Sequence, residues 1–332
     1  MVRDPIKILK EKIDENVFVS VDSGNIRYLS NPEFGDAIAS AILISKSEEV
    51  ALVSSLEKNR ALDVLNLSVK TYSPLPKMSS DARNLVSVIK KLANGKEIIS
   101  DRRIKGLRTK VNDPVKELRE VKDENEIEKI RKANRITKSV NLDEIIEKGR
   151  NEIEIARDVE DSMIKGGATG FAFPTIVACN KHTAYSHHEP AKEKFKYCAM
   201  VDFGASYKGY CADVTRTLIL ENRRLEKIKE MVEESIPEVV ESFGEGSRCS
   251  DIDRAFRGEF KSYKKYFYHN TGHGLGVEVH ESPLLKINSK DTLKKGSVFA
   301  IEPGIYIKGL GGIRIEDDFY IDGNGKIKRI CE

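Results

Sequence analysis

Five residues in the C-terminal two-thirds of the chain carry the types and spacing that chemistry needs: Asp202, Asp213, His273, Glu302 and Glu316. Asp202 and Asp213 lie on either side of a short turn, Ser206–Gly209, in YCAMVDFGASYKGYCADVTRTLIL. Folded as a hairpin centred between Tyr207 and Lys208, this segment sets the two carboxylates directly opposite on one face, with Cβ atoms ~4.5–5.5 Å apart. The segment SVFAIEPGIYIKGLGGIRIEDDFYI repeats the logic around Gly309, Gly311 and Gly312, and a centre at Gly309 opposes Glu302 to Glu316. Like charges so placed repel unless something positive lies between them. Arg216 or Arg314 could neutralise one such pair. Two pairs, with His273 in the glycine-rich HNTGHGLGVEVHESP, point to divalent cations instead. Carboxylate and imidazole suit hard-to-borderline metals, and two ions ~3.5–4 Å apart can share carboxylates and a water.

The elements that must hold these residues divide the chain. Short apolar runs at Val17–Ser20, Ile26–Leu29, Ala41–Ile44 and Val50–Val53 read as strands, and Lys58–Leu65 and Ser80–Asn94 as helices. This first region, without His or Cys, offers little chemistry. The boundary falls near Asn112–Val121, where Pro114 is expected to interrupt. Asp123 and Glu126 then form a capping-box pattern. Ile127, Ile130, Ala133, Ile136 and Val140 follow as one helical stripe. A second helix spans Glu152–Lys165 and stops at Gly166-Gly167. Strands dominate thereafter, at about Thr175–Ala178, Tyr197–Ala205, Tyr210–Leu220, Ser297–Ile307 and Ile313–Ile321, interrupted by helices Arg223–Ser242 and Ser250–Lys261. Strand runs with segregated helices predict an α+β fold. The expected domains are 1–118 and 119–332.

At 332 residues the chain is long enough for two cores. Lys+Arg 56 against Asp+Glu 53 leaves a formal charge of +3, which provides no basic field to favour nucleic acid. No apolar run approaches the ~18 residues of a membrane span, and the start lacks the apolar core of a secretory signal. The odd set Cys179, Cys198, Cys211, Cys249 and Cys331 lacks paired metal spacing and reads as reduced thiols of a cytoplasmic protein. Of the other candidates, His182 reads as a loop histidine, His269 as packed or supporting, and Lys261–Lys265 as a solvated face. Gly272, Gly274 and Gly276 read as close-packing glycines, since no lysine and hydroxyl follow them in P-loop fashion.

VDFGASYKGYCADVTRT, TGHGLGVEVHESP, AIEPGIY and GIRIEDD, in that order, resemble the successive blocks of the pita-bread metallopeptidases, which include prolidase, aminopeptidase P and methionine aminopeptidase. The likeness covers about Val121 to Ile321. NIRYLS and SEEVALVSSLEKNRA resemble the family's smaller creatinase-like N-terminal α/β domain. The resemblance implies two divalent ions per subunit (Mn, Co, Fe or Zn), with Asp202 on one, His273 and Glu302 on the other, and Asp213 and Glu316 bridging. It implies His187 and His280 as substrate-side catalytic residues, Glu302 as proton shuttle, and Tyr306 and Arg314 as supporting substrate-side positions. The proline usual before the first of these histidines is Ser186 here, and His188 follows immediately, leaving two candidates for that place. The implied reaction is hydrolysis of the bond before proline, in Xaa-Pro dipeptides, by a metal-bridging hydroxide. Aminopeptidase P activity on longer peptides is the alternative, and a non-enzymatic interaction protein of the same fold a third. The resemblance also implies a homodimer.

Overall fold

The computed structural model describes residues 3–73, 75 and 80–331. The chain folds as two compact units, Met1–Arg119 and Glu120–Glu332.

The first unit is built on a mixed sheet of β1 (Val17–Ser20), β2 (Ala39–Ile44), β3 (Glu49–Ser54), β4 (Ser68–Tyr72), β5 (Ile98–Ser100) and β6 (Lys110–Val111), in spatial order β4-β3-β2-β1-β5-β6. Its central strands are buried along nearly their whole length, Ser40 being the partly exposed exception, which is why they read as apolar runs rather than alternating ones. Val17, Val19, Leu43 and Leu52 pack with Val88, Ile89 and Ala93 of the helix Leu85–Ala93.

Three expectations fail in this unit. The run Ile26–Leu29 is not a strand; it lies inside the helix Ser23–Ser30, started by Asp22, whose side chain accepts from the Asn25 amide. Ile26 and Leu29 are three apart, a spacing that sets both on one face of a helix, where they are buried. Pro114 does not interrupt; it opens the helix Pro114–Glu120, where its missing N–H costs nothing. The helix expected from Ser80 starts at Leu85, capped by Asn84.

The second unit opens with the helix Glu124–Lys138, and the Asp123–Glu126 capping box is complete. The expected stripe, from Ile127 to Val140, is buried. A second capping box, Asn151 with Glu154, starts the helix Glu152–Lys165. The strands are β7 (Gly170–Phe171), β8 (Ile176–Cys179), β9 (Cys198–Phe203), β10 (Ala205–Tyr207), β11 (Tyr210–Cys211), β12 (Val214–Ile219), β13 (Gly272–Gly274), β14 (Glu281–Leu285), β15 (Val298–Ile301), β16 (Gly304–Ile307), β17 (Gly311–Arg314), β18 (Asp317–Ile321) and β19 (Ile327–Arg329). They form sheets ordered β11-β10-β7, β12-β9-β8 and β14-β13-β15-β18-β19, and the pair β16-β17. The helices Arg223–Glu241 and Cys249–Glu259 bury Val232, Ile236, Ile252 and Phe256 against Phe299, Ile305 and Phe319.

The first hairpin turns two residues' worth of register away from expectation. Its centre is Lys208–Gly209, both with positive φ (49° and 78°), the geometry a two-residue type I′ turn requires. Asp202 therefore pairs with Thr215 rather than with Asp213. A slip of two keeps every side chain on its face, so the aspartates remain neighbours. The second hairpin has the expected register, with Gly304 opposite Arg314 and Ile301 opposite Asp317. Its ladder breaks between those pairs. Pro303 has no N–H to give. The Glu302 amide turns to the Thr271 carbonyl (2.8 Å), and the Glu316 amide to that of Thr215 (3.1 Å). The two glutamates thus sit where the second hairpin is tied to the segment entering β13 and to β12.

Candidate metal centre

The strand crossing brings Asp202, Asp213, His273, Glu302 and Glu316 to the wall of one cavity of about 610 Å³, together with His187, His188, His269, His280 and Arg314. One oxygen or nitrogen from each of Asp213, His273 and Glu316 lies within 4.8 Å of the others. Nε2 of His273 stands 3.6 Å from an oxygen of Asp213 and 3.6 Å from an oxygen of Glu302. Glycine lets β13 in close: a Cβ at Gly272 would overlap the Ala300 carbonyl of the neighbouring strand.

The charges do not balance. Oδ1 of Asp202 and Oδ1 of Asp213 are buried and meet no donor, whereas buried polar atoms are nearly always paired. Burial, reinforced by Glu316 and Asp202, holds the Asp213 carboxyl well above the usual range. Burial with Glu302 and Asp202 does the same to Glu316. Glu302 is pushed up to about 8, chiefly by burial. His273 is pushed down to about 4 by burial and by His280, whose ring centroid is 4.2 Å away. Nδ1–H of His273 donates to the Gly274 carbonyl (3.2 Å), which leaves Nε2 as a lone pair aimed at carboxylates. Two orphaned acceptors and a lone pair converging on anions fit divalent cations, and the carbonyl-tethered imidazole is the usual arrangement of a ligating histidine.

Other residues hold these side chains still. Thr215 donates its hydroxyl to Glu316 (2.6 Å) and accepts from Nε of Arg314 (3.0 Å). Arg314, almost fully buried, gives Nη2–H to Asp202 (2.5 Å) and Nη1–H to the Ser186 carbonyl (3.1 Å) and the Tyr306 hydroxyl (2.8 Å). Nδ1 of His269 donates to the Asn270 carbonyl (2.7 Å), so its Nε2 accepts from Tyr306 (2.9 Å). Burial pushes His269 down to about 3, which keeps it neutral. Behind the centre, Asp318 accepts from the Asp213 amide (3.1 Å) and from Asn134 (2.8 Å), and burial raises it to about 7.

The sequence left Asp318, Thr215 and Asn134 unremarked. Asp318 had a signal in GIRIEDD, where period two puts it on the face of Glu316, but nothing local distinguished it from Asp317. His269 is more than packing, since it lines the cavity and ties Tyr306. His188 faces the cavity too, but its Nε2 donates to Glu152 (2.8 Å). His187 makes no hydrogen bond to another described residue. His182, read as a loop histidine, also bonds Glu152 (2.9 Å).

Residues 128–323 match the model of metallopeptidase family M24. The chain belongs to metallopeptidase family M24. This M24 chain is 34% identical over 313 residues to a peptidase of Methanocaldococcus jannaschii, covering 91% of this chain and 87% of that one. It is 31% identical to the Xaa-Pro dipeptidase of Pyrococcus horikoshii, over 100% of this chain and 98% of the relative. Among solved structures it resembles the prolidase of Pyrococcus furiosus with TM-score 0.82 at 30% identity, covering 98% of each chain. It also resembles an X-Pro aminopeptidase from Thermotoga maritima with TM-score 0.86 at 28% identity, covering 100% of this chain and 98% of that one. The α+β architecture, an N-terminal α/β domain followed by a pita-bread domain, is that of these M24 relatives, and the M24 chain is a metal-dependent peptidase.

Proposed function

We propose that this M24 chain hydrolyses the peptide bond before proline in Xaa-Pro dipeptides, using two divalent ions held by Asp202, Asp213, His273, Glu302 and Glu316. The observation that carries this reading is the convergence of four carboxylates and a tethered imidazole, two of their oxygens orphaned, on one cavity. When bound, the ions supply a deprotonated water near neutral pH and polarise the scissile carbonyl. Asp213 and Glu316 would serve as ligands shared by the two ions. Glu302 takes the proton of the attacking water and returns it to the proline nitrogen as the C–N bond breaks; burial, which raises its basicity, suits that part. His187, His280 or both donate to the carbonyl oxygen as charge grows on it. Arg314 and Thr215 fix Asp202 and Glu316, and Tyr306 fixes Arg314.

A second reading, an aminopeptidase acting on longer peptides that begin Xaa-Pro, is favoured by one observation. A dipeptidase reads the substrate's C-terminal carboxylate with positive charge or donors. Arg314 already spends four of its N–H groups on Asp202, Tyr306, Thr215 and Ser186, which leaves the carboxylate to His187 and His280. The test is kcat/KM for Leu-Pro, Leu-Pro-amide and Leu-Pro-Ala. Dipeptidase action predicts at least ~10-fold preference for the free dipeptide over both others, the scale of one lost ~1.4 kcal/mol contact. Equal rates on all three would overturn it in favour of the aminopeptidase.

The chain is further proposed to act as a homodimer in the cytoplasm. All five cysteines are free, four of them buried, which suits a reducing compartment. No helix among the described residues is long and apolar enough to cross a membrane. Sedimentation velocity tests the dimer; a monomer at micromolar concentration with full activity would reject it.

A further inference from the structure

One buried carboxylate outside this centre is surrounded by imidazoles instead of cations. The side chain of Glu152, first residue of its helix, has no exposure at all. Its Oε1 accepts from the Cys179 amide (2.6 Å) and from Nδ1 of His182 (2.9 Å). Its Oε2 accepts from Nε2 of His188 (2.8 Å) and from the Ala191 amide (2.8 Å). Among the described residues no lysine or arginine pairs with it. Burying a carboxylate away from water without a counter-charge is costly, so positive charge is stabilising here, whether an imidazolium proton or a metal ion supplies it.

The geometry suits the ion. The two imidazole centroids are 4.5 Å apart, and one ligand-capable atom from each of Glu152, His182 and His188 falls within 4.8 Å of the others. A carboxylate and two imidazoles are a zinc-class donor set, completed by water in the fourth place. Bonds of about 2.0–2.1 Å around a tetrahedral ion space ligand atoms by about 3.3 Å. The present nitrogen–oxygen separations of 2.8 and 2.9 Å need only a small opening to reach that. His188 lines the cavity and the His182 side chain is 32% exposed, so an ion has both an entrance and room for its water.

We propose that Glu152, His182 and His188 bind one zinc-class divalent ion, separate from the two-metal centre. On binding, the proton on each ligating nitrogen moves to the far nitrogen of its ring, and an imidazolium, where present, releases one proton to solvent. The ion clasps the segment 179–191, which carries His187 and the Ser186 carbonyl that receives Arg314. Its occupancy thereby sets how firmly that cavity wall is held.

Equilibrium dialysis against Zn(II) of a chain carrying Asp213→Asn and Glu316→Gln, which disables the main centre, tests this. One zinc per chain is expected, with affinity weakened at least ~10-fold by adding His182→Asn. No zinc retained at roughly 100 µM, a weak-binding scale, or equal retention after His182→Asn, would overturn it. Should the double variant not fold, the full wild-type chain loaded with Mn(II) serves. Added Zn(II) then raises the total by one ion and slows amide exchange across 180–191, and His182→Asn abolishes both. Unchanged exchange and content would overturn the proposal. Neither assay reads peptidase activity, so the failure of this site leaves the peptidase reading standing.

Discussion

The two histidine–carboxylate clusters of the second unit meet their charges in opposite ways. At the main centre four carboxylates face one imidazole, and oxygens of Asp202 and Asp213 meet no donor. At Glu152 a single carboxylate accepts from four N–H groups, two from backbone and two from imidazoles. Both clusters contain metal-ligating residue types. What separates them is the number of unmet acceptors and of uncompensated charges. The first has acceptors that meet no donor; the second has every acceptor met and lacks only a counter-charge, which an ion can supply by opening it slightly.

The largest expected effect that sharpens this contrast is on activity. Asp213→Ala or Glu316→Ala should lower kcat/KM for an Xaa-Pro substrate by ~10³-fold or more, because the ions proposed to supply the nucleophile would lose a shared ligand. Glu152→Gln, which keeps the shape and two acceptor bonds, should cost ~10-fold or less. Equal losses in steady-state assays would erase the distinction.

Next comes pH. In the chelated chain the raised carboxyls of Asp213, Glu302 and Glu316 make the folded state bind more protons than the unfolded one. That stability is fully present below the ordinary carboxylate pKa and disappears as pH rises through the folded value, about 8 for Glu302. Chelated protein should therefore lose roughly a few kcal/mol between about pH 4.5 and 8, while metal-loaded protein should not. Asp202→Asn with Asp213→Asn should flatten the chelated profile. Urea midpoints across that range check it, and parallel profiles for loaded and chelated protein would count against cation demand.

A smaller effect tests the satisfied cluster. Glu152→Ala strands two buried amides and two imidazoles, at about 1–3 kcal/mol for each group left unpaired and less wherever water enters. A melting-temperature drop of several degrees is expected in the chelated chain. Smallest of all, Tyr306→Phe removes only the hydroxyl between His269 and Arg314. A fall in kcat/KM of about 3–10-fold, with metal content unchanged, is expected on the scale of one hydrogen bond; loss of metal would mean Tyr306 holds the centre itself.

The convergence of Asp202, Asp213, His273, Glu302 and Glu316 on one cavity was legible in the sequence because clustered carboxylates on apolar strands have no cheap structural explanation. The helices were legible where caps and stripes coincide, as at Asp123 and Asn151. Registers were legible only in part. The glycines around Gly309 marked the second turn, whereas the first depended on Lys208 accepting positive φ beside Gly209, which no pattern in lysine announces. Glu152 could not be found, since its four donors come from segments 27 to 39 residues away. Ile26–Leu29 misled because four apolar-rich residues fit either period, and a cap at Asp22 decided between them.

The central claim is that Asp213 and Glu316 are shared by two ions. Its most direct test is elemental analysis of wild type, Asp213→Ala and Glu316→Ala after reconstitution with Mn(II) and removal of free metal. The wild type should hold two ions per chain, and each variant should lose both, because a bridging carboxylate cannot be removed from one ion alone. Retention of two ions by either variant, with activity unchanged, would contradict the account.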